Sequence, residues 1–134
     1  MAEGAARVKE LFARDRYAAK LGMRLVSADP TSIIVDMPLT PDHENFYDVT
    51  HGGALFSLAD CAFALASNAA GDRAVAIDTH LVLTAATRRG DVLTATAEEA
   101  TRGRTLGTYR ISIRRTDGRV CGLFTGTVHI TPAH

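Results

Sequence analysis

The sequence shows no excess of either charge, with fifteen basic and fifteen acidic residues among 134. This balance argues against a nucleic-acid partner, because binding to a phosphate backbone depends on a wide basic surface. Cysteine is scarce: Cys61 and Cys121 form neither a CxxC pair nor a metal-ligand spacing. We therefore predict two reduced thiols, no metal site and no cofactor.

Long apolar segments are also missing from the sequence. No stretch reaches the roughly 18 uncharged apolar residues that a transmembrane helix needs, so we expect no membrane partner. The N-terminus is charged and shows no apolar core of a secretory signal, which predicts a cytoplasmic location. Without linkers, repeats or low-complexity tracts, residues 1–134 are expected to form one domain.

The elements that the sequence does contain follow a simple order. Apolar residues at helical spacing predict an amphipathic helix over residues 5–20, with Gly22 suited to its C-cap. The segments Met23–Ala28 and Ser32–Met37 carry β-branched residues around the turn signal Asp29-Pro30 and predict a hairpin. After a loop and a long helix, four more strands are predicted, at 74–84, 91–100, 105–115 and 119–131.

The long helix is predicted over about Gly53–Ala70. It is apolar on every face, which is the pattern of a helix buried on all sides. A mostly antiparallel sheet of five or six strands packed against this helix gives an α+β fold. One such sheet leaves its outer face uncovered, and dimerisation is the simplest way to cover it.

Asp60 is the only charged residue between Ala54 and Ala70. Burying an ionised carboxylate among apolar residues is costly unless the carboxylate is paired, so folding alone does not favour an acid there. An isolated acid in such a place is a candidate for a functional site. The alternative is a solvated or structurally paired acid.

The tripeptide His51-Gly52-Gly53 precedes the helix. Glycines at a helix start leave backbone N–H groups open at the positive end of the helix dipole, where a developing oxyanion can be held. His51 and Asp60 cannot act together within one chain, because nine helical residues place them on opposite sides and roughly 13 Å apart. They are either unrelated, or a symmetric dimer brings Asp60 of one subunit to the Gly52 region of its partner.

Residues 45–71, NFYDVTHGGALFSLADCAFALASNAAG, resemble the signature of hotdog-fold thioesterases, in particular the branch of phenylacetic acid degradation. The segments DVLTATAEEATRGRTLGTYRISI and GLFTGTVHI are similar to the same branch. The resemblance implies about six antiparallel strands around one long helix, homodimers joined edge to edge as the catalytic unit, and homotetramers. It also implies hydrolysis of acyl-CoA thioesters, in this branch often phenylacetyl-CoA and its ring-hydroxylated derivatives.

The same resemblance implies roles for four residues. Asp60 is the nucleophile or general base, and the Gly52 N–H binds the thioester oxygen. Asn45 and His51 position the thioester or water. The plainer alternatives are that His51 only satisfies the helix start and that Asn45 only bonds its own loop.

Two positions depart from the family pattern. Asp48 stands where many relatives have a glycine, which leaves the path of this loop open. Ala76 stands where some relatives have a Ser or Thr that assists water, and Thr79 or a backbone group is the remaining substitute.

The expected substrate contacts are spread over several segments. Guanidinium groups suit the phosphates of coenzyme A, whereas a charged turn is the plainer interpretation of the same residues. The aromatic residues Phe46 and Tyr47 either line the acyl pocket or fill the core, and Phe63 is expected in the core. The candidates for substrate binding are Gly53, Tyr47, Arg88, Arg89, Arg102 and Arg104, with the two arginine pairs expected near each other.

Two other functions remain open from the sequence. A hydratase or dehydratase on the same scaffold also pairs a histidine with an acid, but its usual His-Phe-Pro type loop is not found. A non-catalytic acyl-CoA binding module has no need of a buried acid. Hydrolysis of a coenzyme A thioester is therefore the function that the sequence favours.

Overall fold

The computed structural model describes residues 2–133, which form three α-helices and one six-stranded sheet. The helices are α1 (Ala2–Ala13), α2 (Arg16–Lys20) and α3 (Gly52–Asn68). The strands are β1 (Arg24–Ser27), β2 (Ile33–Pro38), β3 (Arg73–Leu83), β4 (Val92–Arg102), β5 (Leu106–Arg114) and β6 (Val120–Thr131). Within the described range, no helix has the length and apolar content required to cross a membrane.

The N-terminal helix is interrupted, which corrects the prediction of one helix over 5–20. Asp15 adopts an extended conformation, with φ −81° and ψ 94°, and its Oδ1 accepts the Ala18 N–H at 2.9 Å. An aspartate that caps a new helix in this way competes with continuation of the preceding one. Gly22, at φ +76°, follows the last turn of α2 and closes it, as predicted.

The sheet is antiparallel throughout, in the order β1-β2-β4-β5-β6-β3. The predicted hairpin is confirmed as β1 and β2, and the four later strands lie within about two residues of their predicted bounds. β3 follows α3 along the chain but joins the far edge of the sheet beside β6, and α3 packs against every strand from β2 to β6, so the sheet curves around the helix. The predicted α+β architecture is confirmed.

The core lies between α3 and the concave face of the sheet. Phe63 packs against Tyr109 and Phe124, with ring centroids 5.9 and 5.4 Å away. Gly126 makes room for this ring, because a Cβ at that position would lie 2.6 Å from Phe63 Cζ. Phe63 therefore fills the core, as predicted. Both cysteines are free and buried.

Helix α3 is not buried on all sides within one chain, contrary to the expectation from its composition. An incompletely covered stripe follows the helical spacing of three and four residues, since the sheet covers only the remaining faces. The residues of this stripe are Gly53, Phe56, Ser57, Asp60 and Ala64. The only charged side chain of the helix thus lies on its open face.

Candidate active site

His51 is the N-cap of α3, and its Nδ1 accepts the Gly53 N–H at 2.8 Å. A Cβ on Gly53 would lie 2.9 Å from this nitrogen, so glycine is what allows the imidazole to fold back over the helix start. His51 therefore satisfies the start of the helix, which is the structural role that the sequence left open for it. The Gly53 N–H is occupied by this cap and is not free for a ligand.

Gly52 is the first residue of α3, where an N–H has no intrahelical acceptor. Across residues 2–133 we find no partner for this N–H. Gly52 borders a cleft of about 390 Å³ that Leu55 and Leu83 also line. A Cβ on Gly52 would meet only Leu83 Cδ1, at 3.5 Å, so packing within the chain does not demand a glycine. Of the two glycines, Gly52 is the one that offers an open donor.

The loop before α3 is organised by Asn45. Its Oδ1 accepts the N–H groups of Tyr47 and Val49 at 2.9 and 3.3 Å, so the loop role expected as the plainer alternative is present. Phe46 and Tyr47 are 88% and 77% exposed, and their rings contact each other edge to face at 4.7 Å. These two aromatic residues do not fill the core; they stand out beside the start of α3.

Asp48 adopts φ +58°, the left-handed conformation that usually favours glycine. Aspartate is among the residues that tolerate this conformation best. Although Asp48 departs from the family pattern, the loop therefore has the conformation that a glycine would adopt at this position.

Asp60 lies half-buried on the open stripe of α3 and forms no ion pair with any cation between residues 2 and 133. Burial raises the pKa of its carboxyl above the ordinary value, and the nearby negative charge of Asp15 raises it further. The neighbouring Cys61 thiol, for which burial is the first cause and Asp15 the second, has its pKa raised to about 12. Asp60 is thus an unpaired carboxyl with an increased affinity for protons.

Gly52 and Asp60 are separated by eight helical residues, or roughly 12 Å along the axis of α3. A thioester carbonyl at the Gly52 N–H is therefore out of reach of the Asp60 carboxyl of the same chain. The single chain presents the two candidate groups at different places on one helix.

Two of the candidate arginines are held by intramolecular contacts. Arg89 forms a forked pair with Glu44, at 3.1 and 2.7 Å. Arg102 Nη1 donates to the Tyr109 hydroxyl at 2.7 Å and to the Ser67 carbonyl at 3.1 Å, and its Nη2 lies 3.7 Å from Asp72. Arg102 therefore caps the last turn of α3. It also lines a cavity of about 730 Å³ at that end, away from Gly52.

Arg88 and Arg104 are exposed, and their guanidinium groups form no hydrogen bond or ion pair within the described chain. The expected proximity of the two arginine pairs is wrong. The turn that carries Arg104 follows β4 and the loop that carries Arg88 precedes it, so eleven residues of extended strand separate them. Within one chain the two sets lie at opposite ends of the sheet.

On β3 a bulge between Ala76 and Asp78 changes which residues face the helix. Ala76 pairs with Val128, and Thr79 pairs with Gly126, the glycine beneath Phe63. Since paired residues of an antiparallel sheet point to the same face, Ala76 and Thr79 both face the α3 side. Thr79 is therefore the hydroxyl on this strand segment that is oriented towards the helix.

Sequence reasoning missed the contribution of α2 to this region. The Tyr17 hydroxyl lies 2.9 Å from Ser57 Oγ, and Cys61 Sγ lies 3.9 Å from Asp15 Oδ2. Ser57 and Cys61 flank Asp60 on α3. The available signal was Asp15 itself, a strong N-cap residue within a segment that was predicted as continuous helix.

Fold and site together define a hydrolase of the hotdog thioesterase class: an antiparallel sheet curved around one helix with an open N–H at its start and a half-buried carboxyl at its middle. Residues 47–122 match the family model of the thioesterase superfamily. The chain belongs to this superfamily, and the protein is an enzyme, a thioester hydrolase.

Individual relatives agree with this assignment. The acyl-coenzyme A thioesterase PaaI of Escherichia coli is 37% identical over 119 residues, which are 89% of this chain and 85% of that protein. The structure of the E. coli PaaI protein from the phenylacetic acid degradation operon superimposes with a TM-score of 0.91 at 34% identity, covering 97% and 95% of the two chains. The predicted hotdog fold is confirmed.

Two further proteins extend the comparison. A protein of Deinococcus radiodurans, provisionally named an esterase, is 45% identical over 113 residues, which are 84% of this chain and 77% of that protein. A protein of Streptococcus pneumoniae named a hypothetical thioesterase, whose crystal structure is with coenzyme A, superimposes with a TM-score of 0.85 at 25% identity, covering 93% and 98% of the chains.

Proposed function

We propose that this thioesterase hydrolyses aryl-acyl-CoA thioesters, phenylacetyl-CoA or its ring-hydroxylated derivatives above all, to the free acid and coenzyme A. The observation that carries the proposal is Asp60, an unpaired, half-buried carboxyl with a raised pKa on the helix that begins with the open Gly52 N–H. The similarity to PaaI from a phenylacetic acid degradation operon supports the acyl group, and the coenzyme A complex of the streptococcal relative supports the carrier.

The proposed chemistry needs only these two groups and water. Asp60 takes a proton from water as the water oxygen bonds to the thioester carbon, and the Gly52 N–H donates to the carbonyl oxygen as it becomes negative. The carbon–sulfur bond then breaks, and the proton held by Asp60 passes to the sulfur, which leaves as the thiol of coenzyme A. In the alternative route an oxygen of the Asp60 carboxylate bonds to the carbon, the carbon–sulfur bond breaks and coenzyme A leaves as its thiolate, which takes a proton from water. A water molecule then hydrolyses the resulting anhydride and restores the Asp60 carboxyl. Thr79 is the hydroxyl that we expect to help position this water.

The proposed catalytic unit is a homodimer with Asp60 of one subunit facing Gly52 of the other. β3 supports this arrangement, because this eleven-residue strand lies at the edge of the sheet and, beyond Ala74, whose N–H and C=O bond to the Asn68 side chain, its outer row of backbone groups has no partner strand. A second copy of β3 would satisfy those groups. Exposed apolar residues on the convex face of the sheet, Val75, Val82, Leu106 and Leu123, favour further pairing of dimers into a tetramer.

The two-subunit site can be tested by mixing two inactive variants. Asp60→Asn and Gly52→Pro subunits are unfolded and refolded together, so that about half of the dimers contain one of each. One of the two sites in such a dimer then has both native groups, and about a quarter of the wild-type rate should return. Recovery no greater than the sum of the separate variants would contradict a shared site.

Substrate class is tested by a panel of aryl and alkyl CoA thioesters monitored through thiol release. The highest kcat/KM is expected for phenylacetyl-CoA or a hydroxylated derivative. An enoyl thioester belongs in the panel, because loss of its conjugation without thiol release would instead indicate a hydratase. Binding of every thioester without turnover would indicate a binding module.

Gly52→Pro is expected to lower kcat by about 10² to 10³-fold, the usual cost of one oxyanion donor, while the protein stays folded. Proline replaces the N–H by a ring carbon and is favoured at the first residue of a helix. His51, at φ −66° and ψ 132°, already has the extended conformation that a following proline requires. Circular dichroism checks that the variant stays folded, and steady-state kinetics measure the loss in kcat.

The matched control for this variant is Gly52→Ala, which keeps the N–H and adds a Cβ in ordinary contact with Leu83. We expect Gly52→Ala to retain clearly more activity than Gly52→Pro. Equal losses in the two variants would mean that the space around Gly52 matters and its hydrogen bond does not.

A further inference from the structure

Helix α2 and its N-cap Asp15 place two side chains against α3 residues that lie next to Asp60 on one side. Tyr17 reaches Ser57, one turn before Asp60, and Asp15 reaches Cys61, the residue after it. The contacts come from the five-residue helix α2 and from its N-cap, which lie beside the open stripe of α3. The α1–α2 break at Asp15 is therefore what brings a second carboxylate to the middle of α3.

From this geometry we infer that Asp15 is a second carboxylate of the active site, a positioning residue that acts on hydrolysis through Asp60. The inference rests on the proposed function, because it concerns the same Asp60. Asp15 Oδ1 is occupied by the Ala18 N–H, and Oδ2 is directed towards Cys61. The carboxylate is held at this place by its own capping bond.

Asp15 is the described charged group that acts on the Asp60 carboxyl; the exposed Arg14 and Arg16, which adjoin Asp15 in sequence, form no ion pair with either carboxylate. From α2, Asp15 and the Tyr17 phenol lie beside the site; α3 itself contributes only Ser57 and the Cys61 thiol. On the helix-facing side of β3, the neighbouring residues Ala76 and Thr79 carry no charge. Asp78 and His80 of β3 pair with Thr127 and Thr125 on the convex face, away from the helix.

No described cation forms an ion pair with Asp15 or Asp60. Two carboxylates close together disfavour ionisation of the more buried one, which agrees with the raised pKa of Asp60. A base with a pKa nearer to the working pH removes a proton from water more effectively. Asp15 would thus make Asp60 a stronger base without touching the substrate.

The test is the pH dependence of kcat/KM in Asp15→Asn. Asparagine is as good an N-cap as aspartate, so α2 is kept and only the charge is removed. The acid limb of the profile should move to lower pH, because Asp60 loses a neighbouring negative charge, and the plateau should stay within about tenfold of wild type. A carbon-13 NMR titration of the Asp60 carboxyl without substrate should show a lower midpoint in the variant.

Asp29→Asn is the matched control. Asp29 also accepts a backbone N–H, from Thr31, and lies in the turn between β1 and β2, which borders the C-terminal end of α3, so this variant makes the same change in charge away from Asp60. Its profile should coincide with wild type. Asp15→Ser provides a second uncharged cap if asparagine disturbs folding, and it should shift the acid limb in the same direction.

An unchanged acid limb and an unchanged NMR midpoint in both folded Asp15 variants would overturn the inference and leave Asp15 as a helix cap only. The proposed function would survive that result if Asp60→Asn is inactive. Near-wild-type activity of Asp60→Asn would instead overturn the proposed function, and the role of Asp15 with it.

Discussion

Asp60→Asn is expected to lower kcat by about a thousandfold, within the range of 10² to 10⁴ that a positioned acid–base group contributes. Asparagine has nearly the shape of aspartate but neither takes a proton from water nor forms an anhydride. The open stripe on which Asp60 lies makes a structural collapse unexpected. Thiol release from an aryl-acyl-CoA, with substrate binding measured separately, is the appropriate assay; activity within tenfold of wild type would remove Asp60 from the mechanism.

The same variant should be more stable than wild type at neutral pH. A carboxyl whose pKa is raised by folding binds its proton more tightly in the folded state than in the unfolded one. Folding stability therefore falls as pH rises from the ordinary carboxyl pKa, near 4, towards the raised value, and the loss persists above it. Asparagine does not ionise, so the variant does not lose stability as pH rises in this range. Thermal melts should show a higher Tm for Asp60→Asn at pH 8 and little difference at pH 3.5.

Asp117→Asn gives a control of opposite sign for these melts. Its hydrogen bond with Arg115 is the main cause that lowers the pKa of Asp117 to about 2. The stability that this ionised carboxylate contributes is present above the ordinary carboxyl pKa and is lost as pH falls towards 2. Asp117→Asn should therefore be less stable than wild type at pH 8. The same sign for the two variants would contradict the raised pKa of Asp60.

Arg102→Met is expected to destabilise the protein by about 3 kcal/mol, or roughly 10 °C in Tm. The side chain is only 17% exposed, and its guanidinium joins the last turn of α3 to β5 through the Ser67 carbonyl and the Tyr109 hydroxyl. Methionine fills most of the space but leaves the Ser67 carbonyl without this donor. Urea unfolding at constant protein concentration measures the loss.

Arg104→Ala is the matched control for Arg102→Met, since Arg104 is exposed and unpaired within the described chain. Its stability should stay within about 0.5 kcal/mol of wild type. If Arg104 contacts a phosphate of coenzyme A, its KM for the thioester should rise with kcat little changed. A large rise in KM for Arg102→Met without loss of stability would assign that arginine to the substrate after all.

Much of the fold could be predicted because local patterns act at short range. β-Branched residues and the turn signal Asp29-Pro30 predict strands within about two residues of those observed. The prediction of one helix over 5–20 was wrong at Asp15, because this side chain caps a new helix although the apolar pattern continues. The prediction that α3 is buried on all sides was wrong for a different reason. Composition shows that a helix is apolar, but not how many neighbours it has within one chain.

The site was predictable only where a residue is unusual in its own segment. Asp60 and the double glycine could be found in this way. Which of the two glycines offers a free N–H could not be predicted, because this depends on which N–H the His51 ring accepts. The arginines were misplaced because positions on two loops do not reveal that β4 separates them over its whole length.

By itself, the sequence determined the succession of the six strands and the long helix along the chain and the lone acid on α3, since spacing and side-chain type are local properties. Only the tertiary structure decided which polar groups remain free and which are occupied. It assigned Arg102 to the end of α3, Arg89 to Glu44, and α2 to the side of Asp60. The physical reason is that hydrogen bonding and burial depend on residues distant in sequence, which meet only when the sheet curves around the helix.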